Sequence, residues 1–478
     1  MLNDDACYTA LESRDPRFDG RFYTGVVTTG IYCRPICPAR TPRRRNVRFY
    51  ASAAAAAEDG FRACRRCRPE AAPGTPARQG TSAAVSRALG LIAVGALDGA
   101  DVGALAARVG LGERQLRRLF LEHVGASPLA VAGTRRVHLA KKLLDETALP
   151  VTEIAFASGF ASVRRFNDAV REAFGAAPRE LRRGAARRKQ AEFELRLAYR
   201  PPLDWAGLLD FLRPRAIPGV EQVEADVYRR SVRTPAGVGA IEVRPGDDGR
   251  HLLLRAPVSL GRAAGRLSAC ARRHFDLDAD PEPIAAHLRR DPELRKRLRR
   301  RPGLRVPGAW DGFELAVRAI LGQQVSVAGA TTLAGRLVER YGEPLPDAGS
   351  AAVSRLFPEP GVLADADVAP LGLPRTRARA IEGLARAVAC GELDLSPTED
   401  TEATRSRLLA LAGVGPWTAE YVALRALGEP DAFPASDLGL RRALADGSGE
   451  APSEAALASR AEAWRPWRSY AALALWSR

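Results

Sequence analysis

Cys33 and Cys37 form one pair, C-x3-C, and Cys64 and Cys67 form another, C-x2-C, which opens 27 positions after the first closes. Two such knuckles joined by a loop match a closed tetrahedral zinc site with four thiolate ligands. The spacing obliges the chain to return on itself. In a block of about 70 residues with little apolar core, the metal supplies much of the folding free energy. A purely structural zinc knot satisfies that spacing, and so does a reactive site, because a zinc-bound thiolate stays nucleophilic at neutral pH without a base. The surroundings bear on the choice, since residues 34–68 contain ten Arg against two acids, Glu58 and Asp59. Zinc with four thiolates carries a net charge of about −2, and arginines bring a phosphodiester to such a cluster. Cys7 lies outside the spacing and reads as a plain buried or free thiol.

Seven cysteines, no long apolar run and an acidic N-terminal stretch, MLNDDACYTALESRD, without a signal-peptide core lead us to expect a reducing, cytoplasmic setting and no membrane partner. Charge directs attention to nucleic acid. Of 72 Lys+Arg and 56 Asp+Glu, residues 1–190 hold 32 basic and 18 acidic side chains, so most of the net +16 sits there. A field of that size attracts polyanions, and nucleic acid is the expected one; the motifs below narrow it to double-stranded DNA.

A chain of 478 residues exceeds what one hydrophobic core usually organises. Composition and periodicity divide it into units at 1–75, 83–184, 191–282 and 283–478, with AAPGTPARQGTS at 71–82 as a linker and basic GAARRKQ at 184–190 as a separator. The expected fold class is multidomain and mainly α with small α+β parts. In the second unit LAARVGLGERQLRRLF places Leu105, Ala106 and Val109 on one helix, Gly110 at a turn, and Leu116, Leu119 and Phe120 on a second helix. VTEIAFASGFASVRRFNDAVREAF repeats the pattern with Ile154, Ala155, Gly159, Phe166 and Val170, and Ser127 with Pro128 opens a connecting helix between the copies. Two helix-turn-helix units so joined can present their second helices to successive major-groove faces about 34 Å apart. Arg114, Arg117, Arg118, Arg164 and Arg165 lie on those helices and are candidates for DNA contact. A small helical bundle with a solvated basic face shows the same pattern.

The third unit alternates apolar and polar residues in DVYRRSVRT, GAIEVR and HLLLRAPV, which predicts a small antiparallel sheet followed by a helix near 262–275. In the fourth, LAGVGPWTAEYVALRAL allows Gly413, Val414 and Gly415 to form a tight hairpin between helices, with backbone N–H groups free to hold a DNA phosphate, together with a monovalent cation. Asp437 follows Gly415 by 22 residues and also fits as the N-cap of a helix from Leu438.

Three resemblances follow from these motifs. TTGIYCRPICPAR, NVRFY and GFRACRRCRPE together resemble the N-terminal domain of Ada-type methylphosphotriester repair proteins. That resemblance implies one zinc ion on Cys33, Cys37, Cys64 and Cys67, and transfer of a methyl group from a DNA phosphotriester to Cys33, which would be ligand and acceptor both. The duplicated helix-turn-helix is similar to the AraC-type DNA-binding domain, which implies operator DNA, RNA polymerase as a further partner and a monomer, since one chain already spans two groove faces. The final 280 or so residues, through LAYRPPLDWAGLLDFLRPRAIPGVE, PGLRVPGAWDGFELAVRAILGQQVSVAGA, the hairpin and AEAWRPWRSYAALALW, resemble the helix-hairpin-helix 3-methyladenine DNA glycosylase II family. That implies a base pocket of Phe211, Trp417, Tyr421 and Trp476, with Asp437 stabilising the sugar cation or activating water.

Absences refine the implied reaction. Bifunctional relatives carry Lys where Trp417 stands, and no Lys follows Lys296, so excision should leave an intact abasic site. Only Cys390 follows Cys270, too few thiols for a four-cysteine iron–sulfur cluster. No Pro-Cys-His-Arg alkylguanine-transferase motif occurs. There are also two departures from the glycosylase pattern. Gln324 stands where the family carries a leucine wedge, and Leu438 where it carries tyrosine. The rival expectation is a transcription regulator whose C-terminal half binds DNA without excising bases.

Overall fold

The structure is a computed structural model that describes residues 3–73, 83–182, 191–346, 351–397, 400–445 and 449–477. The basic stretch at 184–190, and all but the first three residues of the expected linker, lie outside the described residues. The first unit opens with α1 (Asp4–Ser13), capped by the Asn3 side chain, and forms a four-stranded sheet in the order β3-β1-β2-β4. Its strands are β1 (Tyr23–Val26), β2 (Ile31–Cys33), β3 (Val47–Tyr50) and β4 (Arg62–Ala63), with α2 (Ala53–Glu58) between the last two. All pairings are antiparallel except β2 with β4, which run parallel with Ile31 opposite Arg62 and Tyr32 opposite Ala63.

The second unit is wholly helical: α3 (Ala83–Ala93), α4 (Val102–Arg108), α5 (Glu113–Val124), α6 (Pro128–Glu146), α7 (Val151–Ala157), α8 (Val163–Phe174) and α9 (Pro178–Leu181). Both turns need a glycine, since Gly110 and Gly159 sit at φ +73° and +88°. Ser127 caps α6 by accepting from Ala130 N, with Pro128 in the first turn.

The third unit is a five-stranded antiparallel sheet in the order β5-β9-β8-β7-β6, built from β5 (Glu192–Ala198), β6 (Glu221–Glu224), β7 (Val227–Thr234), β8 (Gly237–Pro245) and β9 (His251–Pro257). Sequence alternation had identified the last three strands. The two edge strands and the helix between them, α10 (Trp205–Leu212), lay outside the stretches read, although EFELRLA of β5 alternates strictly. Next come α11 (Ala264–His274), α12 (Pro281–Leu288), α13 (Pro292–Arg300), α14 (Gly312–Leu321), α15 (Val327–Tyr341), α16 (Pro360–Ala364), α17 (Arg375–Ala389), α18 (Thr401–Ala410), α19 (Pro416–Arg425), α20 (Leu438–Ala443), α21 (Glu454–Ala461) and α22 (Arg468–Trp476).

The cores cut across the compositional units. The first helix-turn-helix closes on its own cluster, with Leu105, Leu116 and Phe120 buried beside Leu91 and Ile92 of α3. Helices α14 to α19 share another core around Val317, Leu337, Ile381 and Val422. The third core is continuous from Tyr32 in the cysteine block, through Leu143 of the connecting helix α6 and Ile154 and Phe166 of the second helix-turn-helix, to Leu195, Leu254 and Leu267 of the sheet unit and Leu473 of α22. Close packing enforces this junction: a Cβ on Gly261 or Gly265 would lie 2.6 Å from Leu149 or Leu139, respectively. Polar contacts reinforce it, with Arg21 paired to Asp280 and Lys142 donating to the Arg196 carbonyl. Among the described residues no helix is long and apolar enough to cross a membrane.

Candidate functional site

The parallel pairing of β2 with β4 puts Cys33, at the end of one strand, beside Cys64, just past the end of the other. Cys64 N donates to Tyr32 O at 3.0 Å and locks that register. Each partner cysteine returns by a tight turn, closed by Cys37 N to Arg34 O and by Arg68 N to Cys64 O, both at 3.1 Å. The four Sγ atoms lie within 4.8 Å of one another. Tetrahedral thiolate zinc requires sulfur separations of about 3.8 Å, so this donor set fits the ion with only small adjustment. Arg34 N donates to Cys67 Sγ at 3.3 Å, while the Arg34 side chain is held by Asp19. Hydrogen bonding within the cluster, with Cys33 foremost, pulls the Cys37 thiol down to about 7. Cys37, Cys64 and Cys67 are buried and Cys33 is the most open of the four. Arg40, Arg43, Arg45, Arg62 and Arg66 of the same unit are exposed.

On the helix-turn-helix units Arg114, Arg164 and Arg165 are exposed and make no ion pair among the described residues. Arg117 is held by Glu113, with Nη2 2.6 Å from Oε1, and Arg118 approaches Glu122 at 3.8 Å. Ser162 caps α8 by accepting from Arg165 N at 3.3 Å, which sets both arginines on the first turn.

The hairpin lies between α18 and α19. Gly413 has φ +83°, and a Cβ there would meet Ala380 Cβ at 2.8 Å, so glycine is required twice over. Gly415 has an ordinary φ and faces open space, while Val414 is buried as the anchor of the turn. No side chain caps α19 and Pro416 occupies its first turn, leaving its amide end open. Gln323 Nε2 ties the α14–α15 loop to this hairpin, at 2.9 Å from Gly413 O and 3.1 Å from Thr418 Oγ1. Next to it Gln324 is exposed, at φ +57°.

Asp437 is half-buried at the foot of α20 and performs the capping role, since its Oδ1 accepts from Leu440 N at 2.9 Å. Two indoles share the same carboxylate. Trp417 Nε1 donates to Oδ2 at 2.8 Å, and Trp476 Nε1 donates to Oδ1 at 2.9 Å. Trp417 stacks on Tyr421 with centroids 5.2 Å apart and planes 12° from parallel. Trp476 meets Tyr421 at 6.0 Å and Phe211 at 6.3 Å. The structure therefore brings Phe211, Trp417, Tyr421 and Trp476 together in one group with Asp437, joined to the hairpin through Trp417 on the first turn of α19.

Sequence reasoning missed the layer behind these rings. Arg425 Nη1 donates to the Tyr421 hydroxyl at 2.8 Å, and the Arg215 guanidinium lies 3.8 Å from the centre of the Phe211 ring. Burial would raise the Tyr421 phenol, but the guanidiniums of Arg425, Arg215 and Arg318 outweigh it and hold it below its ordinary value. The i, i+4 spacing of Tyr421 and Arg425 was visible in the sequence, whereas the approach of Arg215 was not.

Comparison with known proteins gives a matching order of parts. The metal-binding domain of Ada matches residues 6–70, a helix-turn-helix domain matches 105–184, the AlkA N-terminal domain matches 194–311, and the HhH-GPD superfamily of base excision DNA repair proteins matches 317–469. A probable bifunctional transcriptional activator/DNA repair enzyme AlkA of Mycobacterium tuberculosis is 46% identical over all of this chain and 97% of its own. The DNA-3-methyladenine glycosylase 2 of Escherichia coli is 38% identical over 59% of this chain and 95% of its own. The solved 3-methyladenine DNA-glycosylase of Archaeoglobus fulgidus superposes with a TM-score of 0.52 at 25% identity, covering 59% of this chain and 96% of that one.

Proposed function

This chain belongs to the family of bifunctional transcriptional activator/DNA repair enzymes of the AlkA type, and we propose that it excises alkylated purines of the 3-methyladenine class from DNA as a monofunctional glycosylase. The observation that carries this reading is the Asp437 carboxylate, half-buried and held by the indoles of Trp417 and Trp476 beside the hairpin. The base must leave the stack before its glycosidic bond is reachable. An alkylated purine is cationic and already a good leaving group, and the ring wall offers it electron-rich faces. As the bond to the base lengthens, positive charge grows on the sugar. A carboxylate about 4 Å from that charge, at an effective dielectric near 20, is worth about 4 kcal/mol, or roughly a thousandfold in rate. That suffices for a labile alkylated base and falls far short for a normal purine, so selectivity resides partly in the substrate. Gly413, Val414 and Gly415 hold the backbone, and Gln324 fills the gap left by the extruded nucleotide.

The N-terminal half takes the second part. Cys33, Cys37, Cys64 and Cys67 hold one zinc ion, which when bound keeps the thiolates deprotonated at neutral pH. In the proposed transfer the Cys33 sulfur attacks the methyl carbon of a phosphotriester. The S–C bond forms as the C–O bond breaks, and the phosphodiester leaves as the anion. The thioether product carries one negative charge fewer, so DNA is held more strongly, and Arg114, Arg117, Arg118, Arg164 and Arg165 read the operator. This part works as an irreversible switch. Activation involves RNA polymerase, and a monomer presents both reading helices.

The test is release of 3-methyladenine from methylated duplex by the intact chain and by Asp437→Asn. Release by the intact chain and its loss in the variant support the reading. If neither releases base, the C-terminal half binds DNA without catalysis and the regulator reading stands.

A further inference from the structure

Tyr421 has a second face. Behind it, between α10, α11, α14 and α19, lies a cavity of about 30 Å³, of which Tyr421 is a wall and Phe211, Trp417, Trp476 and Asp437 are not. Its interior is strongly basic, lined by the guanidiniums of Arg215, Arg230, Arg318 and Arg425 against the carboxylates of Glu221 and Glu314, with Asp311 exposed at the rim. Arg230 uses both interior carboxylates, at 2.8 Å from Glu314 and 3.8 Å from Glu221. Arg425 is spent on the Tyr421 hydroxyl and the carbonyls of Pro307 and Gly308. Arg318 reaches Glu221 only at 3.8 Å, and Arg215 donates from Nη1 to Phe211 O at 2.8 Å. Four interior guanidiniums therefore share two interior carboxylates, a surplus of positive charge in a place where uncompensated charge is costly.

A second, independent observation identifies the cavity as a binding site. His274 lines it, is 2% exposed, and neither ring nitrogen meets hydrogen-bond geometry, with only a weak approach to the Gly308 backbone. Burial, then Arg230 and Arg425, hold that imidazole well below its ordinary value, so it is neutral and offers one N–H donor and one acceptor. Buried polar groups are rarely left unsatisfied. A cavity of about 30 Å³ has room for water or a monatomic ion.

We propose that this cavity is a halide site, in which Arg318, Arg215 and the N–H of His274 hold a chloride ion behind Tyr421. The surplus of guanidiniums favours an anion over water, and the phenol oxygen of Tyr421 already sits where negative charge is stabilised. The catalytic consequence rests on the glycosylase reading above. A cationic base stacked on Trp417 faces the arginine layer through the stacked rings of Trp417 and Tyr421, and a chloride behind those rings lowers the repulsion. Excision of cationic bases gains from the ion and excision of neutral bases does not.

Crystals of the full chain grown from chloride-free bromide solution test the site directly. The expected result is an anomalous bromine peak in the cavity, in hydrogen-bond reach of Arg318 and His274. Bromide only at surface arginines, with water in the cavity, overturns the proposal. In solution, replacing gluconate by chloride at constant ionic strength should raise the unfolding temperature by roughly 2–4 °C, and Arg318→Met should abolish that difference. Equal stability in both anions also overturns it. Chloride should raise excision of the cationic base 3-methyladenine severalfold relative to a neutral base. Loss of all excision in either salt would defeat the glycosylase reading while leaving the bromide result intact.

Discussion

The indole N–H of Trp417 donates to Asp437 Oδ2 at 2.8 Å, so a pocket ring and the acidic group proposed to act on the sugar are one hydrogen-bonded unit. Trp476 donates to the other oxygen at 2.9 Å. An Asn has one acceptor oxygen where three donors point, from Trp417, Trp476 and Leu440, so Asp437→Asn loses the charge and also turns an amide N–H towards an N–H donor. We expect excision to fall roughly a thousandfold and stability to fall by about 1–3 kcal/mol, read by base release and by urea unfolding. Trp476→Phe keeps a ring and removes one donor, and should cost far less than Asp437→Asn in single-turnover rate.

Cys33 is the most open thiol of the cluster. After incubation with methylated DNA, intact-mass measurement should show one methyl adduct, localised to Cys33 by peptide mapping, and Cys33→Ser should show none. An adduct on Cys37, Cys64 or Cys67 instead would refute the assignment.

Gln324 is a non-glycine residue at φ +57°. Gln324→Gly relieves a left-handed conformation and should stabilise the chain by roughly 1 kcal/mol. It also removes the side chain proposed to fill the gap in the duplex, so excision should drop severalfold while stability rises. A variant that is both more stable and fully active would show that Gln324 is not the wedge.

His138 on α6 sits 2.8 Å from the Tyr32 hydroxyl, next in sequence to Cys33. Burial pulls this imidazole down to about 4, against about 6.5 in an unfolded chain. As pH falls below about 6.5 the unfolded chain takes up a proton that the folded one refuses. The stability this group contributes is thus complete above that pH and is lost progressively down to about 4, by at most about 3 kcal/mol. His138→Gln should remove this dependence, so wild type should lose about 2 kcal/mol more than the variant between pH 7.5 and pH 5. Parallel losses in denaturant titrations of the two proteins would contradict this.

Arg165 is exposed on the first turn of α8. If it touches phosphate, Arg165→Ala should weaken binding to all sequences alike and reduce the slope of log affinity against log salt by about 1. A sequence-selective loss would make it a base contact.

Much of this protein was legible before any coordinates. Ligand spacing is a local property, and Cys33, Cys37, Cys64 and Cys67 meet because two short knuckles leave them little else to do. Helical periodicity is also local, and the turns at Gly110 and Gly159 fall where the apolar pattern breaks. Asp437 was read as either a helix cap or a member of the pocket; its side chain makes both sets of contacts, because a carboxylate has acceptors enough for Leu440, Trp417 and Trp476 together.

What the chain's order of residues determined by itself is the set of local devices: the zinc knuckles, the paired reading helices, the glycine hairpin and the acid that follows it. Only the tertiary structure decided what those devices face. An apolar residue specifies that it must be buried, not against which partner. So Leu149 beneath Gly261, the shared core of cysteine block and sheet, and the gathering of Arg215, His274 and Arg318 behind Tyr421 had no trace in spacing. Their contacts join positions far apart in the chain, and they form only when whole elements pack.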